Sequence, residues 1–139
     1  MDNNLPKPPK AVGNYTTIKK VNNIIYTSGH VPISEEKKFI GKIPNEQSTE
    51  EGYEAASLCA ELTLATLSEN YDLEKLTPLN VVGFVNCNDD YTDHPKVLNG
   101  FTDKLEEYFN SKATRSAVGV SSLPMNVSVE VQTIFYIDE

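Results

Sequence analysis

Apolar residues recur along this chain with two periods, and the places where the period changes mark its elements. Residues 1–12 hold three of the eight prolines and read as an irregular arm, leaving 13–139 as one domain. Tyr15 to Lys20 reads as a strand, and Val21-Asn22-Asn23-Ile24 as a tight hairpin turn, because asparagine tolerates the positive φ such turns need. Ile24 to Ser28 is the returning strand, stopped by Gly29. Residues 33–47 mix charges and read as a loop, with strand character at Phe39-Ile40. Ser48-Thr-Glu-Glu51 is a capping box, so a helix of about 20 residues follows, giving out near Asn70. Its apolar stripe runs through Tyr53, Ala56, Ala60, Thr63, Leu64 and Leu67, and Cys59 within it is expected to be a buried thiol.

The second half repeats the alternation of periods. Leu79 to Val85 is apolar on both faces and reads as a buried strand, with Gly83 marking a bulge or the close approach of another backbone. Cys87 follows among polar residues and is expected to be partly exposed. Thr92-Asp-His-Pro95 opens a second helix with an acidic cap and a proline in its first turn. Val97, Phe101, Leu105 and Phe109 form its buried edge, and His94 is expected to be structural or solvent-facing. Thr114 to Ser122 and Val127 to Tyr136 alternate as strands. The order β-β-α-β-α-β-β predicts an α+β domain with a mixed sheet and two helices on one face.

Composition and charge narrow the function classes. The chain has 139 residues, enough for one core but not two. No apolar run approaches the roughly 20 residues of a membrane span, and the first residues lack a basic-then-apolar secretion signal. The expected compartment is the cytoplasm, or an organelle whose targeting segment is missing. Two cysteines without close spacing argue against a disulfide scaffold or zinc cluster, and no ligand set suggests a metal or cofactor. The formal net charge of −8 repels phosphate backbones, so nucleic acid is not the expected partner.

Against that background one cation stands out. Eleven residues are lysine and one is arginine, Arg115. A planar, permanently charged fork grips a carboxylate with two parallel hydrogen bonds, which lysine cannot do. On a strand, Arg115 shares its face with Ala117, Gly119 and Ser121, so the long side chain has small neighbours and a vacancy beside it. A structural ion pair would leave a similar trace. Glu130 is the only acid of the last strand and lies on the face opposite Val129 and Val131. It is either solvated on an open face or enters the same vacancy as Arg115.

Ala113-Thr-Arg-Ser, Val118, Ser121, Leu123 and Val129-Glu130-Val131 together resemble the C-terminal signature of the RidA family, also called YjgF/YER057c/UK114 and historically labelled endoribonuclease L-PSP. Gly13-Asn-Tyr15 and Tyr26-Thr-Ser28-Gly29-His-Val-Pro32 extend the resemblance from about Leu5 onward. The Leu5-Pro-Lys-Pro-Pro opening, Phe84-Val-Asn86 and Thr92-Asp-His-Pro95 resemble its slightly longer branch. The resemblance implies a chorismate-mutase-like fold that forms homotrimers with clefts between subunits. It also implies hydrolytic deamination of reactive 2-enamine or 2-imino acids, such as 2-aminoacrylate, to 2-keto acids and ammonia, without cofactor. Arg115 would hold the carboxylate and Glu130 would orient water. Tyr15, Ser28, Gly29, His30 and Ala117 would line the substrate site. Ala117 stands where cysteine is usual and His30 where glutamine is common, which bears on substrate range. The alternative is a non-catalytic trimer that binds small carboxylates as a sensor or chaperone, with endoribonuclease behind both.

Overall fold

The computed structural model describes residues 4–139; residues 1–3 of the expected arm lie outside the described residues. The hairpin forms as β1 (Ile18–Val21) and β2 (Ile24–Thr27), antiparallel, with Asn22 at φ 55° in the turn. β1 starts three residues later than the pattern suggests, leaving Tyr15 in a bend ahead of it.

α1 (Thr49–Ser68) starts at the capping box. The Ser48 hydroxyl accepts from the Glu51 amide at 3.0 Å, and the Glu51 carboxylate accepts from the Ser48 amide at 2.9 Å. Such a cap contributes about 1 kcal/mol. Cys59 in this helix is fully buried.

β3 (Leu76–Asn86) is longer than expected and α2 (His94–Phe109) starts with Pro95 in its first turn. The expected acidic cap is absent: Asp93 sits at the N-cap but makes no side-chain cap bond. α2 ends on Asn110, left-handed at φ 49°. β4 (Thr114–Val120) and β5 (Val129–Ile137) complete the sheet. Short 3₁₀ turns at Leu73–Lys75 and Pro124–Asn126 were not legible in the pattern.

The five strands run in the order β1-β2-β5-β3-β4, and only β3 and β4 pair in parallel, across the α2 crossover. The fold is therefore α+β with a mixed sheet. β5, last in sequence, lies at the centre, and its helix-facing residues Val129, Val131 and Phe135 are fully buried. Gly83 is not a bulge. A Cβ there would overlap Leu98 Cδ1, so a side chain of α2 occupies the space, while the register shift falls between Pro78 and Asn80. Where α1 and α2 cross, a Cβ on Gly100 would overlap the Tyr53 carbonyl oxygen, so only glycine permits this approach.

Among the described residues no helix covers the opposite face of the sheet. Tyr26, Val118 and Tyr136 project there with 48%, 43% and 39% of their surface exposed.

Candidate functional site

Four of the expected residues gather where the arm meets β2 and β5. Ser28 follows β2 and is pinned by its hydroxyl, which donates to the Thr16 carbonyl at 2.6 Å. Its amide donates to the Thr17 carbonyl at 2.8 Å. Tyr15 is half-exposed, its hydroxyl accepting from the Val12 amide at 3.3 Å. With Gly29, Thr17 and Met125 they line a largely apolar cavity of about 270 Å³. Met125 is held there by a left-handed backbone, φ 58°.

The Glu130 carboxylate lies directly against Gly29. A Cβ on Gly29 would overlap Glu130 Oε2, so glycine at this position makes room for the acid. Among the described residues nothing donates a hydrogen bond to that carboxylate and no cation pairs with it. Burial pushes its carboxyl above the usual carboxylate range. A half-buried, unpartnered acid is a better proton acceptor than an ordinary one near neutrality.

His30 turns the other way. Its Nδ1–H donates to the Ser28 carbonyl at 2.9 Å, and its Nε2 meets the Thr66 hydroxyl of α1 at 2.9 Å. The residue is 3% exposed, and burial lowers its pKa against the opposing pull of the Ser28 carbonyl. It borders the cavity, but neither ring nitrogen is free for a ligand. It acts as a brace between β2 and α1.

Arg115 and Ala117 are elsewhere. Arg115 pairs with Val81 and Ala117 with Gly83, which places both on the helix-facing side of the edge strand β4. Glu130 pairs with Phe84, which pairs in turn with Val118, on the open side. Within one chain the cation and the acid are on opposite faces of the sheet and do not share a vacancy. Arg115 Nη1 donates to the Thr102 hydroxyl of α2 at 3.0 Å, and no carboxylate among the described residues neutralises it. The structural-ion-pair reading therefore fails. Ala117 is half-buried beside it, as small as the sequence suggested.

The Thr102 contact had no signal in the sequence, since it depends on where α2 crosses β4. Cys87 also departs from expectation: it is 5% exposed, and its sulfur meets His94 Nε2 at 3.5 Å. Among the described residues no three His, Cys, Asp or Glu side chains gather where they could hold a metal ion. No helix among them is long and apolar enough to cross a membrane.

The model of the family described as endoribonuclease L-PSP matches residues 6–137. A RutC family protein of Pyrococcus abyssi is 33% identical over 94% of this chain and 91% of its own. A 2-iminobutanoate/2-iminopropanoate deaminase of Dermatophagoides farinae is 25% identical over 96% of this chain and 93% of its own. The crystal structure of a protein of unknown function from Agrobacterium tumefaciens superposes with a TM-score of 0.86 at 30% identity, covering 90% of this chain and 84% of that one.

Proposed function

Because the chain belongs to the endoribonuclease L-PSP family, known equally as the RidA family, we propose that it hydrolyses reactive 2-imino and 2-enamine acids to 2-keto acids and ammonia. The observation that carries this reading is the pair of incomplete half-sites. One offers an unneutralised guanidinium, the other an unpartnered, half-buried carboxylate beside Tyr15 and Ser28. Each lacks what the other has.

Two copies joined through the open sheet face and the edge strand would bring the Arg115 of one against the Glu130 corner of the next. The family resemblance implies three such copies. The uncovered apolar face, with Tyr26, Val118 and Tyr136, supports such an assembly. In the joined site Arg115 grips the substrate carboxylate bidentately. Glu130 takes a proton from water as its oxygen attacks the imine carbon and the C=N electron pair moves to nitrogen. The protonated Glu130 returns that proton to the nitrogen, giving a carbinolamine, and then relays the remaining hydroxyl proton to the same nitrogen as the C–N bond breaks and the C=O bond forms, so that imine and water leave as ketone and ammonia. The raised carboxyl suits both halves of that cycle.

Ribonuclease action fits less well. An acidic chain with net charge −8 repels the polyanion it would have to bind. The relative named as a 2-imino acid deaminase supports the smaller substrate.

The test is release of ammonia and keto acid from a freshly generated 2-imino acid, measured above its spontaneous hydrolysis. Glu130→Gln keeps the shape and loses the proton acceptor. It is expected to bind pyruvate nearly as the parent does while losing most turnover, the pattern of a group that acts in the transition state. Pyruvate binding by the parent without ammonia release would instead make the protein a carboxylate-binding module. Sedimentation as a monomer at micromolar concentration would remove the joined site altogether.

A further inference from the structure

Away from the half-sites, the second cysteine and the second histidine of a chain with two of each come together where β3 ends and α2 begins. Cys87 Sγ lies 3.5 Å from His94 Nε2. The imidazole is held in turn: the Tyr91 ring meets it edge-on, centroids 5.4 Å apart at 72°. Tyr91 is itself fixed by a 2.7 Å hydrogen bond between its hydroxyl and Thr49 at the start of α1. A nucleophile, a base within reach of its proton and a third group that orients the base form the arrangement of an activated thiol.

Space above the pair is kept open. A Cβ on Gly119 would lie 2.6 Å from His94 Nε2 and 2.8 Å from Cys87 Sγ. Glycine there leaves a cavity of about 380 Å³, whose lining includes both residues with Asn88, Asp89 and Ser121. The Asn88 backbone amide is taken by the Ile43 carbonyl at 3.1 Å, but its side-chain amide and the Ser121 hydroxyl have no partner among the described residues, and both residues belong to the lining.

We propose that Cys87, His94 and this cavity form a thiol-addition site for small, uncharged α,β-unsaturated carbonyl compounds. His94 Nε2 takes the thiol proton as the sulfur lone pair forms the C–S bond to the β-carbon. The alkene electrons move onto the α-carbon and carbonyl oxygen, which Asn88 and Ser121 are placed to receive. His94 then delivers the proton to the α-carbon. The net change is addition of S–H across the double bond, with no leaving group and no oxidant.

The charged and titratable neighbours explain why a base is needed. Burial pushes the Cys87 thiol up, Lys42 and the Val120 amide-side contact pull it back, and Asp89 adds to the rise. Unassisted, such a thiol stays protonated at neutrality and reacts slowly. This site does not rest on the imine-hydrolysis reading.

The experiment uses the intact protein with acrylamide as probe and peptide mass mapping as readout. Cys87 is expected to carry the adduct while Cys59, fully buried in α1, does not. His94→Gln keeps the size of the group but cannot take the proton. Its labelling rate is expected to fall about tenfold or more, and to climb about tenfold per pH unit above neutrality as the thiol must ionise into water. The parent rate stays nearly level over the same interval. Gly119→Ala, checked for an unchanged circular dichroism spectrum, is expected to slow labelling sharply because its Cβ crowds Cys87 Sγ and His94 Nε2. An unlabelled Cys87, or equal rates and equal pH slopes in parent and His94→Gln, overturns the proposal.

Discussion

The two faces of the sheet follow opposite rules. On the helix side, β5 presents Val129, Val131, Thr133 and Phe135, none more than 2% exposed, packed under α1 and α2. On the other side the same strand presents Glu130, Gln132, Ile134 and Tyr136, half-buried or exposed, and no helix among the described residues lies over them. One face is a finished core; the other has the alternation of a solvent face but the aromatic and β-branched content of a contact surface. Arg115 and Glu130 are divided between these faces, so on the proposed reading a single chain holds only parts of a site. That division links the fold to the proposed assembly.

Two neighbours on β5 sharpen the contrast most. Phe135 is fully buried against Phe109, ring centroids 5.7 Å apart, and its replacement by Ala should cost about 3–5 kcal/mol in urea unfolding. Tyr136→Ala, one residue along, should leave the unfolding of a subunit within about 0.5 kcal/mol. Its effect should appear as a concentration-dependent loss of association in sedimentation. Equal effects on subunit unfolding would mean the open face is part of the same core.

The next effect is on chemistry. Arg115→Lys keeps the charge and loses the fork, and among the described residues it gives up one side-chain hydrogen bond, to Thr102. Turnover of a fresh 2-imino acid should fall by about one to three decades, roughly 1.4 kcal/mol of barrier for each. The melting temperature should hardly move. A large loss of stability without a separate effect on ligand binding would return Arg115 to a structural role.

A smaller effect comes from His30 on the closed side. Its folded pKa is lowered, so the stability tied to its neutral form is present above the ordinary value of 6.5 and is lost as pH falls toward the folded value. The drop in melting temperature between about pH 7.5 and pH 5.5 should be shallower in His30→Gln than in the parent. Parallel profiles would show that the buried imidazole takes up no proton on unfolding.

The smallest expected effect belongs to Glu130 on the open side. Its folded pKa is raised, so its contribution is fully present below the unfolded value and is lost as pH rises through the folded one. At neutral pH Glu130→Gln should therefore melt slightly above the parent while losing turnover, and the gap should close as the pH is lowered toward 4.5. A variant that melts below the parent at neutrality would show that the Arg115 of a neighbouring copy pairs with Glu130 itself rather than with the substrate carboxylate.

Local pattern placed both helices and all five strands, because α1 carries its own capping box at Ser48 and Glu51, α2 opens on Pro95, and the apolar spacing of each segment belongs to its own residues. It also singled out Arg115 as the one guanidinium and put Glu130 opposite Val129 and Val131, since side-chain direction along a strand is a local property. Strand order was not local. That β5 inserts between β2 and β3, and that β4 runs parallel at the edge, depends on contacts between residues far apart in sequence. So too do the separation of Arg115 from Glu130, the turning of His30 toward Thr66, and the meeting of Cys87 with His94. A sequence fixes which way a side chain points from its own element; only the packing of elements decides what it points at.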